Sequence, residues 1–213
     1  MNIFLTGGSS GIGAEYRQHL ESLGHNVTAP PRQELDLNNF NINELDLKDF
    51  DMLVLCAGVD VNGRQPYTKL KTSDITTTLQ VNLIANMTII HKYVQQRFFK
   101  PWSRVVVIGS TITEHVFPNF VAYGTSKVAL DTFISSIRTE LRELQGNNKI
   151  GFTVIHPGLV KTNFHFNRGN VSEEDKHTVY DQNWHMTTPQ LLPALDLILN
   201  DREHLVKQLS ISV

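Results

Sequence analysis

Three polar side chains stand at a spacing that suits proton transfer: Ser110, Tyr123 and Lys127. Ser110 closes a run of four apolar β-branched residues, 105–108 (VVVI), which reads as a buried strand. Tyr123 follows thirteen positions later, and Lys127 four beyond it, at the start of a helical pattern. A spacing of four puts the phenol and the ammonium on one helical face, close enough to interact. Hydroxyl, phenol and ammonium would then converge at the carboxyl end of a strand, where open α/β sheets bind their ligands.

The elements that must position these groups alternate along the chain. Residues 2–6 (NIFLT) form an apolar run, followed by GGSSGIG at 7–13 and an amphipathic stretch at 14–23. That is strand, glycine-rich turn and helix, and the uncapped N–H groups of such a helix suit an anion. The pattern is TGxxxGxG rather than GxGxxG. A second strand is predicted at 25–29, a third ending near Leu35, Asp36 and Leu37, and a fourth at 52–55, ended by Cys56-Ala57-Gly58. A short helix or turn is expected within 38–50 and a loop over 59–71, broken by Gly63 and Pro66. Long helical patterns cover 73–99 and 121–144. Further strands are predicted at 150–155, ended by His156-Pro157-Gly158, and at 205–213, with a helix over 189–200. Alternating strands and helices argue an α/β fold: a Rossmann-like, doubly wound three-layer sandwich around a mostly parallel seven-stranded sheet. With no repeat or linker in view, residues 1–213 read as one domain, with a polar loop or lid at about 159–188.

Composition narrows the function classes. A net charge of −2 offers no electrostatic reason to expect nucleic acid or an anionic membrane as partner. One cysteine, Cys56, leaves no intrachain disulfide or thiolate-rich metal site, and it reads as a small buried filler. No apolar run reaches the ~18 residues a membrane span needs, and the first residues lack a signal-peptide pattern, so a soluble, cytoplasmic protein is expected. His165, His177 and His185 lack metal-ligand spacing and are read as solvated or substrate-facing, with no metal expected. Phe164, Phe166, Tyr180 and Trp184 could form an aromatic lid or simply pack the loop.

TGGSSGIG at 6–13, CAG at 56–58, VNL at 81–83, IGS at 108–110, YGTSK at 123–127 and HPGLVKT at 156–162 follow one another in the order of a known family. Together they resemble the short-chain dehydrogenase/reductases, over about residues 1–163 with a weaker match in the last helix and strand. The resemblance implies an oxidoreductase interconverting a carbonyl and an alcohol, with a nicotinamide supplying the hydride. It implies Tyr123 as acid/base, Lys127 as the cation that favours its ionised form and holds the nicotinamide ribose, Ser110 as donor to the substrate oxygen, and Asn82 as holder of a water that completes a proton relay. On the cofactor side it implies Gly7, Ser9, Ser10, Gly11, Ile12 and Gly13 around the pyrophosphate and adenosine ribose, and Asp36 and Leu37 beside adenine. Cys56, Ala57 and Gly58 would lie opposite, and Pro157, Gly158, Val160 and Thr162 against the nicotinamide.

Two positions depart from the family pattern. Cys56 stands where the family usually has asparagine. After the second strand there is no carboxylate to grip a ribose 2′-hydroxyl, whereas Arg32 could pair with a 2′-phosphate, so NADP(H) is expected over NAD(H), although Ser10 replaces the basic residue many NADP users carry. The remaining alternatives are a non-catalytic NADP(H) sensor or scaffold, which would not need Tyr123 and Lys127, and an epimerase or dehydratase of the longer related branch. The small-molecule substrate is expected against 111–120, the residues after Gly58 and the lid. A homodimer or homotetramer is implied through the two long helices.

Overall fold

The computed structural model of the chain describes residues 1–63, 65–98, 100, 102–144, 150–164, 186–201 and 208–211. Among these, strands β1 (Asn2–Thr6), β2 (Asn26–Thr28), β3 (Met52–Leu55), β4 (Ser103–Ile108), β5 (Ile150–Pro157) and β6 (Gln208–Ile211) form one sheet in the order β2-β1-β3-β4-β5-β6. Every pairing is parallel. The helices are α1 (Gly11–Ser22), α2 (Thr72–Leu79), α3 (Ala85–Arg97), α4 (Val121–Leu144) and α5 (Leu192–Asn200).

Strand alternation sorts side chains onto two faces. Val105 and Val107 of β4, Leu53 and Leu55 of β3, and Phe152 and Val154 of β5 pack with Ile89, Ile90 and Tyr93 of α3 and Leu130 and Ile134 of α4. Val106, Ile108, Met52 and Val54 point the other way, onto Tyr16 and Leu20 of α1 and Leu195 and Ile198 of α5. Helices on both faces make the central strands buried throughout, hence their uninterrupted apolar runs. The fold is a Rossmann-like doubly wound sandwich, as the alternation predicts.

Six strands, not seven, are found among the described residues. The strand expected to end at Leu35-Asp36-Leu37 is a chain of turns. Pro31 O accepts from the amides of Glu34 and Leu35 at 3.0 Å each, the Asp36 carboxylate accepts from Asn38 N at 3.1 Å, and Asp36 O accepts from Asn39 N at 2.8 Å. Pro30 and Pro31 have no amide hydrogen for a ladder, and an aspartate that caps its own following backbone favours a turn over a strand. The helix expected at 73–99 is interrupted by a π-helical turn at Gln80–Ile84, joining α2 to α3. The helix expected at 189–200 begins as a 3₁₀ turn, Thr188–Leu191. The ends of the expected lid are tied together where Lys161 N donates to Met186 O at 2.8 Å and Met186 N to Leu159 O at 2.9 Å. Its interior, with His165, His177, His185, Phe166, Tyr180 and Trp184, lies outside the described residues.

Candidate active site

One cavity of about 980 Å³ runs along the carboxyl ends of β1, β3, β4 and β5. At one end it is bordered by Pro30, Arg32, Leu35, Asp36 and Leu37, and at the other by Ile112, Phe117, Phe120, Tyr123 and Phe164. Of the residues singled out from sequence, Gly7, Ser9, Ser10, Gly11, Ile12, Gly13, Arg32, Asp36, Leu37, Cys56, Ala57, Gly58, Ser110, Tyr123, Lys127, Pro157, Gly158, Val160 and Thr162 all line it. Asn82 does not.

The glycine turn is shaped by close approach. Gly7 has φ +75° and a Cβ there would lie 2.7 Å from Ala57 N, while a Cβ on Gly13 would lie 2.2 Å from Gly7 O. Only glycine lets α1 seat so tightly against the ends of β1 and β3. Ser10 precedes α1 in extended backbone, and its side chain makes no capping hydrogen bond, so the first amides of the helix are left to a ligand. A backbone cradle at a helix amino terminus, opening into an elongated cavity of this volume, fits a dinucleotide.

At the other end, Ser110 follows β4 and heads a 3₁₀ turn, Thr111–Glu114. Its hydroxyl accepts from Ile112 N at 3.2 Å, which leaves its own hydrogen to be donated into the cavity. Tyr123 and Lys127 lie one turn apart on α4. The ammonium stands 5.7 Å from the centroid of the tyrosine ring, and that ring lies 5.7 Å from Phe164. Lys127 is 5% exposed and donates to Ile108 O at 2.8 Å, so the last carbonyl of β4 fixes the cation. Burial lowers its pKa to about 8, with a smaller opposing influence from nearby Cys56. The Cys56 thiol is pushed up to about 12 by burial, with Lys127 opposing, and stays a thiol. Among the described residues no cluster of His, Cys, Asp and Glu could hold a metal ion, and no helix is long and apolar enough to cross a membrane.

Asn82 sits in the π-helical turn, wholly buried. Its side-chain oxygen accepts from Val59 N and its amide donates to Val59 O, both at 2.8 Å, and the amide also donates to Ser126 Oγ at 3.0 Å. Ser126 in turn donates to Tyr123 O at 2.7 Å. The asparagine therefore clamps the loop after β3 to the turn of α4 that carries the tyrosine. It also shares a border with the lysine: a Cβ on Gly58 would lie 3.4 Å from Asn82 Oδ1 and 3.7 Å from Lys127 Nζ. Ser126 and Asn86, which donates to Asn82 O at 2.8 Å, escaped the sequence reading, because nothing in their spacing marks them. Asp60, among the residues after Gly58 expected to face the substrate, also borders the cavity.

A model of the short chain dehydrogenases matches residues 41–171, more than half of the chain. The chain belongs to the short chain dehydrogenase family. A curated relative is an uncharacterized oxidoreductase of Mycobacterium tuberculosis, 26% identical over 191 residues, covering 75% of this chain and 55% of the relative. The chain thus spans about half the length of that relative. Among solved structures, the closed form of serine dehydrogenase complexed with NADP+ superposes with a TM-score of 0.87 at 20% identity, covering 100% of this chain and 95% of the other. The 3-alpha-hydroxysteroid dehydrogenase from Pseudomonas sp. B-0831, complexed with NADH, gives 0.73 at 17% identity, covering 99% and 95%. At these identities the superpositions establish the fold.

The buried lysine has a signature in stability. The unfolded chain, with an ordinary lysine pKa of about 10.4, keeps a proton that the folded chain releases from about pH 8 upward. Burial of the ammonium costs most below pH 8, and that cost is relieved as pH rises toward the unfolded value. Relative to Lys127→Met, the wild type should gain on the order of 3 kcal/mol between pH 7 and about 10. Urea unfolding of both proteins across that range measures it, and a difference that stays flat contradicts the burial.

Proposed function

We propose that this chain acts as an NADP(H)-linked oxidoreductase that interconverts a carbonyl and an alcohol. The observation that carries the reading is that Ser110, Tyr123 and Lys127 line the same cavity as the uncapped glycine turn. The cavity would hold a nicotinamide cofactor, whose chemistry would be to give a hydride in reduction and take it in oxidation. In the reducing direction Tyr123 gives its phenolic proton to the substrate oxygen while Ser110 donates a hydrogen bond to that oxygen. Lys127, cationic below about pH 8, favours the phenolate that remains. Reprotonation would run through a water held by Asn82 that links Lys127 to solvent, both residues lying beside Gly58.

Cofactor choice is read at the far end of the cavity. Arg32 is the arginine that borders it among the described residues, and it is a good partner for a 2′-phosphate. It lies 3.5 Å from Asp36, with 74% of its side chain exposed, a weak pairing that a phosphate would displace. Arg32→Ala should raise the KM for NADPH about tenfold and leave NADH within about twofold, the scale of one charge-assisted hydrogen bond. Steady-state kinetics with both cofactors check this, and a wild-type kcat/KM for NADH equal to that for NADPH would sink it.

On the substrate side Ile112, Phe117, Phe120 and Phe164 make an apolar wall, with Asp60 the carboxylate nearest in sequence to Gly58. A panel of aromatic and aliphatic aldehydes, ketones and 3-oxo esters, followed by NADPH absorbance, is the direct test. Tyr123→Phe should lower kcat by about a thousandfold, within the range of acid–base catalysis, with the Kd for NADPH within about twofold of wild type. Undiminished carbonyl reduction by that variant rules the mechanism out.

The proposed partner is a second copy of the chain. Val121 and Val128 lie seven residues apart on one side of α4, and with Ile84 at the head of α3 they are nearly half exposed. Apolar side chains so placed on two helices fit a self-complementary interface. Sedimentation equilibrium at micromolar concentration should show a dimer or tetramer that Val128→Glu dissociates; a monomeric wild type contradicts it.

A further inference from the structure

Ser110 is gripped at its backbone by a side chain that the proposed chemistry does not use. His156, on β5, is wholly buried. Its ring lies against Gly109, where a Cβ would fall 2.7 Å from Nδ1 and 2.9 Å from Cε1, so a glycine must precede the serine. Nδ1 stands 3.1 Å from Ser110 O, 3.4 Å from Ser110 N and 3.4 Å from Thr113 Oγ1. Nε2 stands 2.9 Å from the side-chain nitrogen of Gln208 on β6 and 3.4 Å from Asp131 Oδ1 on α4.

A neutral imidazole has one donor and one acceptor, and the partner of one nitrogen decides the role of the other. The shortest contact at Nε2 is an amide that can only donate, so Nε2 accepts. The hydrogen then rests on Nδ1 and goes to the nearer partner, the Ser110 carbonyl at 3.1 Å, and the longer 3.4 Å bond from Ser110 N, which needs an accepting Nδ1, is the one this tautomer gives up. That carbonyl also takes Thr113 N at 3.2 Å and Thr113 Oγ1 at 2.9 Å, closing the turn that Ser110 heads. Ser210, two residues beyond Gln208, donates to Glu114 Oε1 at 3.1 Å, so β6 braces both ends of this turn.

We propose that His156 is a positioning residue: held in its Nδ1–H form by Gln208, it fixes the Ser110 peptide and thereby aims the Ser110 hydroxyl at the substrate oxygen. The inference rests on the oxidoreductase reading above. A shift of about 1 Å at a catalytic group can cost about a hundredfold, so a grip on this peptide bears on rate rather than on binding.

Two amide substitutions separate the ring nitrogens. His156→Asn keeps a hydrogen-bonding group where Nδ1 was, and His156→Gln keeps one where Nε2 was. With NADPH and the best carbonyl of the panel, kcat of His156→Gln should lie at least about tenfold below that of His156→Asn, with carbonyl KM and NADPH Kd within about twofold in both. Equal kcat in the two variants, both still binding NADPH, overturns the proposal. Long-range ¹H–¹⁵N spectra of the histidine rings supply a readout free of turnover. The ring whose signals vanish in His156→Asn should be the Nδ1–H form, and an Nε2–H ring overturns the assignment. Should neither His156 variant bind NADPH, Gln208→Leu, at an exposed position, takes their place. It leaves Asp131 as the partner of Nε2, so the hydrogen should move to Nε2 and kcat should fall; an unchanged tautomer and kcat overturn the proposal. If no carbonyl of the panel is reduced, the oxidoreductase reading fails, while the ring spectra and the Ser110 amide shift in the two variants still decide whether His156 holds the serine.

Discussion

A buried ammonium is the constraint around which this molecule is built. Lys127 gives up most of its water to reach the carbonyl of Ile108, and burial lowers its pKa accordingly. Removing a charge from water costs several kcal/mol, which a single carbonyl does not return. The rest of the domain must offset that cost, and the two apolar layers on the faces of the sheet are what offset it. What the cost secures is a cation beside a phenol at a distance set by the helix itself. Because Lys127 and Tyr123 share one turn of α4, and the lysine is bonded to β4, the tyrosine is fixed relative to the serine at the end of that same strand.

The clamps around this centre explain why its parts come from distant stretches of chain. Asn82 bonds both backbone groups of Val59, as a neighbouring strand would, and reaches Ser126 with its remaining amide hydrogen. The loop after β3, the π-helical turn and the first turns of α4 are thereby one rigid unit. A π-helical turn supplies the extra residue that turns an asparagine inward without ending the helix pair. From the other side, β5 and β6 hold the turn headed by Ser110 through His156, Gln208 and Ser210. The polar groups on α4 and after β4 are thus held from two sides, by the loop after β3 and by β5 and β6.

How much of this was legible depended on whether the signal was local. The glycine turn, the run 105–108 and the Tyr123–Lys127 spacing are local patterns, and the fold and the cavity lining follow from them closely. The expected strand before Leu37 was misread because apolar leucines at alternate positions outweighed two prolines and an aspartate that bonds its own following amide. The break at 80–84 was invisible, since a π turn and an α-helix share the same broad apolar pattern. His156 was read only as the end of a strand, because a histidine's partners lie on other strands: Ser110 and Gln208 are far from it in sequence and adjacent only once the sheet is formed.

The two ends of the cavity differ in kind, and the difference bears on specificity. At the end with Lys127 the ammonium is buried and held by Ile108 O at 2.8 Å, while the partly buried Ser110 and Tyr123 are tied through the Ser110 hydroxyl to Ile112 N and through the Tyr123 carbonyl to Ser126 Oγ. At the far end Arg32 is exposed and Asp36 half-buried, and their 3.5 Å pairing is loose. Exposed pairs of this kind contribute little in water and can be remade at little cost. A firmly tied end beside an adaptable one would let the cofactor preference proposed above change through a few surface residues without disturbing the buried lysine. A carboxylate 3.5 Å from Arg32 competes with any anion for that guanidinium and would repel a phosphate drawn to it. Under the proposed NADP(H) reading, discrimination between the two nicotinamide cofactors would therefore rest on the balance between these two side chains rather than on Arg32 alone.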